Sequence, residues 1–176
     1  MAEFESIADL DKRFGIFKDL PRAAVIGADI NFVEYCIDKC ATVYLIDIEQ
    51  KIPAAVRALE KDNPNLRITP QNIRRIDPAV FKDDSLSAVV TTVPLNVDGA
   101  VAMVVPLKPY LKKDARILLC VDAYGWKEAD LMRTARKMAE LSGFTVEEYV
   151  RLHDNFYVLI KNRAPAKTLD IIVLTK

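Results

Sequence analysis

The chain has 176 residues, 51% hydrophobic and 28% charged, with 25 basic side chains set against 25 acidic ones. That balance leaves no long-range field of one sign, which argues against nucleic acid and anionic membrane as partners and favours a small molecule or a protein. The local pair Arg74-Arg75 could still touch a phosphate. The N-terminus, MAEFESIADLDKRF, has no basic region leading into an apolar block, and no apolar run approaches the ~18 residues of a membrane span, so a cytoplasmic protein without membrane contact is expected.

Cys36, Cys40 and Cys120 form an odd set without framework spacing, which suits reduced intracellular thiols. Cys36 and Cys40 share a helical face, but with one histidine in the chain a metal would need carboxylates to complete its ligands, so ordinary packing is expected and no metal site. The length suffices for one core and asks for one domain, over residues 1–163.

Taken in order, residues 4–17 read as a helix within an N-terminal helical segment, 1–19, and 23–26 as a first strand entered through Leu20-Pro21. Val33, Cys36, Ile37 and Cys40 fall at i, i+3, i+4, i+7, which predicts a helix before a second strand at 42–47. A helix at 52–61 tolerates Pro53 in its first turn and stops at Asn63-Pro64; a third strand follows at 66–69 and a fourth at 88–92.

Residues 98–105 form a helix ended by Pro106, before a fifth strand at 115–121. The longest helix, 127–141, places Leu131, Ala135, Met138 and Leu141 on its inner stripe, with Ser142-Gly143 as its stop. Strands at 144–150 and 156–161 are joined by too short a link for a crossover, so they must be antiparallel. After Ala164-Pro165-Ala166, KTLDIIVLTK is β-like: residues 164–176 are either an added edge strand or an association tail that builds a homodimer.

Three segments fall at telling places: VYLIDIE at 43–49, PYLKKDARILL at 109–119 and LSGFTV at 141–146. Together with the alternation of strands and helices and the terminal hairpin, they resemble class I S-adenosylmethionine-dependent methyltransferases over roughly residues 20–163. The resemblance implies a three-layer Rossmann-like α/β fold whose mostly parallel seven-stranded sheet runs 3-2-1-4-5-7-6, with an extra C-terminal strand. It also implies S-adenosylmethionine as cofactor and Asp47 as the acid that holds the ribose hydroxyls. The alternative for Asp47 is a solvated strand end or a helix cap.

Against the family's acid-x-G-x-G-x-G loop, AAVIGADINFVEY places Val25, Gly27, Asp29 and Asn31 at the four named positions. One glycine remains and the acid is absent. Asp and Asn are the non-glycine residues that best tolerate left-handed backbone, so Asp29 and Asn31 could preserve the shape of the loop. Asp29 would then accept from the cationic amino group of the cofactor in place of the missing acid. Alternatively, Asp29 or Asn31 simply caps the following helix.

Ligands of such sheets sit outside the carboxyl ends of the strands, near the switch point between the first and fourth. That rule adds Asn72, as an acceptor for the adenine amino group or as a turn former. Thr91, Thr92, Pro94 and Asn96 lie at the family's catalytic position, Thr91 toward the cofactor and Asn96 toward the substrate. TTVPLN lacks the Asn-Pro-Pro-aromatic signature of amino-group methyltransferases, and Ser87 replaces the acid that commonly opens the fourth strand.

Asp122, Tyr124 and Trp126 offer a carboxylate and two aromatics to a substrate, or else cap a helix and cover the sheet edge. His153, beside Asp154, is either a base in the last turn or an exposed turn histidine. The functions to weigh are thus a methyltransferase acting on a small molecule or protein side chain and a methyltransferase-like scaffold or subunit that has lost cofactor binding. A nicotinamide-binding domain fits the Gly27 to Asp47 gap but lacks G-x-G-x-x-G.

Overall fold

The computed structural model describes residues 1–81, 85–123 and 125–162, the side chain of Pro78 aside. Eight strands form one sheet: β1 (Ala2–Phe4), β2 (Arg22–Ile26), β3 (Thr42–Asp47), β4 (Leu66–Pro70), β5 (Leu86–Thr91), β6 (Leu111–Val121), β7 (Phe144–Leu152) and β8 (Asn155–Asn162), in the order β1-β7-β8-β6-β5-β2-β3-β4. Among the described residues the α-helices are α1 (Ile7–Phe14), α2 (Ile30–Lys39), α3 (Ala54–Asp62), α4 (Val97–Val104) and α5 (Glu128–Ser142). Counted from β2, the order is the expected 3-2-1-4-5-7-6, with β8 antiparallel to both β6 and β7 and every other pairing parallel.

A parallel sheet must be covered on both faces, and the central strands read accordingly as unbroken apolar runs. Side chains alternate between two cores. Ala24 and Ile26 of β2 join Val89, Met103, Leu131, Met138 and Phe144 under α4 and α5, whereas Ala23 and Val25 join Leu10, Val33, Cys36, Leu45 and Val56 under α1, α2 and α3. Each large aliphatic side chain so buried contributes about 1.5–3 kcal/mol of transfer free energy.

Three expectations need correction. The N-terminal segment is not helical throughout: Ala2–Phe4 pairs in parallel with Val150–Leu152 of β7, Ser6 caps α1 by accepting from the Asp9 N–H, and Gly15 ends it at φ 64°. A three-residue edge strand carries too little periodicity to be read from sequence, so the sheet gains a strand on the β7 side. Second, Leu141 is exposed, while Leu131, Ala135, Met138, Ala139 and Ser142 are buried in α5. At 3.6 residues per turn the stripe from Leu131 reaches position 142, not 141. Third, Asp29 and Asn31 do not adopt left-handed backbone: Asp29 is extended at φ −89° and Asn31 lies in α2.

The chain also passes Pro106 in a 3-10 turn, Val105–Tyr110, after α4 ends at Val104. The proposed extra strand or tail at 164–176 lies outside the described residues. Among the described residues no helix is long and apolar enough to cross a membrane.

Candidate functional site

All parallel strands end on one edge of the sheet, so the loops after β2, β3, β4, β5 and β6 converge there. Because β7 runs with them, the two-residue turn His153-Asp154 lies at the same end. At its centre stands Asp47, only 4% exposed. Oδ2 accepts from the Ala28 N–H at 2.9 Å, Oδ1 from the Ile48 N–H at 2.8 Å, and the Asp47 carbonyl accepts from the Gln71 N–H at 2.9 Å. One residue thus ties the loops after β2, β3 and β4 together.

Gly27 adopts φ 102°, which side-chain-bearing residues rarely take, and an added Cβ would collide with Oγ1 of Thr92 and stand 2.9 Å from Cγ2 of Val93. Its N–H donates to Ile46 O at 2.8 Å and its carbonyl accepts from the Asp29 N–H at 2.9 Å. The glycine is therefore required by the close approach of the β5 loop. Asp29 caps α2: Oδ1 accepts from the N–H groups of Asn31 at 3.0 Å and Phe32 at 3.4 Å, while Asn31 itself is exposed. Oδ2 of Asp29 has no hydrogen bond among the described residues.

Thr91 is wholly buried, and its Oγ1 accepts from the Cys120 N–H at 2.8 Å, so it joins β5 to β6 inside the sheet. Strand alternation puts Thr92 at the crevice instead, its hydroxyl donating to Ile26 O at 3.3 Å. Asn72 forms a turn, its side-chain oxygen accepting from the Arg74 N–H at 2.9 Å, and Asn96 caps α4 through the Gly99 N–H at 2.8 Å. Asp122 and Trp126 are exposed just beyond β6; Tyr124 lies outside the described residues. His153 is exposed at φ 54° in its turn.

The structure therefore gathers Gly27, Asp29, Asp47 and Thr92 about the β2–β5 switch point, with Asp122, Trp126 and His153 along the edge beyond β6. Tyr157 was not anticipated. Its ring packs 6.2 Å from that of Phe32, and burial, reinforced by nearby Cys120 and Asp29, raises its phenol well above the ordinary tyrosine range. An aromatic in a hairpin strand reads as core, so only its register opposite Cys120 reveals its place under the crevice. Burial likewise pushes the Cys120 thiol up to about 12. The three cysteines are free and buried, and the described residues hold no group of three or more His, Cys, Asp or Glu side chains placed to bind a metal.

No family model and no curated protein matches the chain by sequence. Solved structures match its fold. A candidate hemolysin from Lactococcus lactis is 13% identical, with 97% of this chain and 94% of that one covered at a TM-score of 0.69. A SAM-dependent methyltransferase from Aquifex aeolicus is 14% identical over 88% of each chain, at a TM-score of 0.66. Fibrillarin from Aeropyrum pernix, with natively bound S-adenosyl-L-methionine, is 14% identical over 83% of this chain and 67% of that one, at a TM-score of 0.64. The chain has the Rossmann-like fold of the class I S-adenosylmethionine-dependent methyltransferases.

Proposed function

We propose that the crevice at the carboxyl end of the sheet binds S-adenosylmethionine and that the protein is a methyltransferase acting on a small molecule or a protein side chain. The observation that carries this reading is Asp47: a buried carboxylate closing β3 beside the switch point, held in one orientation by two backbone N–H groups. Each carboxylate oxygen has a second acceptor site, so the pair suits two vicinal hydroxyls. Asp29 Oδ2 is the acceptor for an ammonium group, and the fold likeness to a protein with S-adenosyl-L-methionine bound supports the same cofactor. Bound there, the cofactor supplies an electrophilic sulfonium methyl.

The chain's own contribution is positional. Asp47 orients the ligand, Gly27 lets the β2 and β5 loops close on each other, and Asp122, Trp126 and His153 flank the approach of a methyl acceptor. Calorimetric titration with S-adenosylmethionine and S-adenosylhomocysteine tests this. Micromolar binding, weakened at least tenfold in Asp47→Ala and less in Asp29→Ala, is expected.

One observation favours a second reading, a methyltransferase-like scaffold. The backbone N–H groups of Gly27, Ala28, Asp29, Asn31 and Phe32 already have acceptors within the protein. A loop so closed presents few donors to the cofactor's carboxylate. Absence of heat with both ligands, in protein whose fold is verified by circular dichroism, would decide for the scaffold.

A further inference from the structure

The opposite, amino end of the sheet is built differently. Two clefts of about 560 and 600 Å³ open there and share Lys18, Asp19 and Ser87 as walls. Their other polar walls include Lys12, Arg13, Arg22, Lys112, Lys113 and Arg116. Against these seven cations the described lining sets two carboxylates, Asp19 and Asp114. Asp114 already faces Lys161 at 3.8 Å. Asp83 and Asp84, just before Ser85 in sequence, lie outside the described residues. A chain with no net charge thus concentrates positive charge on one edge.

The backbone there is irregular in a way that presents these groups. Between Leu86 and Ala88 the β2–β5 register slips, leaving Ser87 as the extra residue. In the β5–β6 ladder Leu86 faces Leu111 and Ala88 faces Arg116, so residues 112–115 bulge opposite Ser87 alone. Bulges re-aim side chains, and these two turn Ser87, Lys112 and Lys113 into the joined clefts. Asp19, Leu20 and Asp114 on the rim all take left-handed backbone, at φ 66°, 49° and 63°, a conformation that costs about 1 kcal/mol or more in each such residue.

Arg116 is fixed by Glu147 and by the carbonyls of Phe14 and Gly15. Lys12, Lys18, Lys112 and Lys113 are exposed and form no ion pair among the described residues, and Arg13, also exposed, lies over the rings of Phe4 and Phe14. Cations strung along two confluent clefts match a ligand with regularly spaced negative charges better than a single anion. Two clefts that share walls give the backbone of one strand a continuous path past these cations. Phe14, the aromatic in the lining, is covered by Arg13, which leaves no ring for base stacking.

We propose that this trough binds single-stranded nucleic acid through its phosphates, without sequence preference. The site lies at the opposite end of the sheet from Asp47, so binding does not depend on S-adenosylmethionine. The test is fluorescence anisotropy of a labelled oligouridylate 12-mer on the full chain at 50 to 200 mM salt. Five exposed cations predict a log–log salt slope near about −3.5, and hence roughly a hundredfold weakening over that range. Lys112→Glu/Lys113→Glu should weaken binding at least tenfold and flatten the slope to about −2, with unchanged circular dichroism. Saturating S-adenosylhomocysteine should leave the curve unmoved. Absence of binding at 50 mM salt would overturn the proposal, as would binding indifferent to Lys112→Glu/Lys113→Glu. Inorganic tripolyphosphate that binds while the oligonucleotide does not would replace the strand by a small anion.

Discussion

The two ends of the sheet differ in how far their polar groups are already answered. At the carboxyl end the loops after β2, β3 and β4 are knotted by Asp47, and the N–H groups that open α2 are capped by Asp29. At the amino end the register slips, and lysines stand without ion-pair partners among the described residues. A satisfied network costs stability when it is cut, because each orphaned buried group loses its partner without regaining water. An exposed unpaired charge costs almost nothing to remove. Inter-loop tethers thus gather at one end and exposed unpaired lysines at the other.

Cutting the carboxyl end should therefore be expensive. Gly27→Ala should lose about 3 kcal/mol of stability, from left-handed strain plus overpacking against Thr92 and Val93. Gly125→Ala, at φ 73° with open space around it, should lose only about 1 kcal/mol. Urea midpoints compare the two. Equal losses would show that the close approach at Gly27 is not what fixes the residue.

Asp47→Ala should lose about 2 kcal/mol, since the Ala28 and Ile48 N–H groups are left without acceptors. Asp47→Asn, which keeps one acceptor oxygen, should lose about half as much. A neutral Asp47→Ala in chemical denaturation would break the contrast between the ends.

The alkaline limb gives a subtler reading. Burial raises the Cys120 thiol from 9.0 to about 12, so above pH 9 the unfolded chain releases this proton while the folded chain keeps it. The folded state then binds more protons and stability falls as pH rises from about 9 toward 12, by about 1 kcal/mol between pH 8 and pH 10 from this group. The raised Tyr35 and Tyr157 phenols extend the same trend. Cys120→Ala should flatten the limb; a slope unchanged by that substitution would place its origin elsewhere. At the small end, Lys112→Glu/Lys113→Glu should shift stability by no more than about 0.5 kcal/mol, as exposed substitutions do.

Much of this was legible beforehand, for identifiable reasons. Apolar runs at 23–26 and 42–47 and the short link before 156 point to a mostly parallel sheet closed by a hairpin, whereas the strand order comes from the family resemblance and agrees with the structure. Asp47 is singled out by the family resemblance, as the acid that closes the strand beside the switch point. The loop chemistry was less visible. Asp29 reads equally as ligand or cap, and the structure shows the cap. Thr91 and Thr92 are adjacent and alike, and only strand alternation sends one into the sheet and the other to the crevice. The amino-end charge is hidden because its cations come from two stretches distant in sequence, 12–22 and 112–116, and vanish in a net charge of zero. Likewise β1 carries no sequence signal, because three residues hold no pattern apart from their partner, β7.

The most direct test is a titration of uniformly 15N-labelled protein with S-adenosylhomocysteine, followed by amide chemical shifts. Saturable shifts are expected at Gly27, Ala28, Asp29 and Ile48, with Arg22, Ser87 and Lys112 unmoved. Spectra that stay fixed at millimolar ligand, or that move only at the amino end, would contradict it.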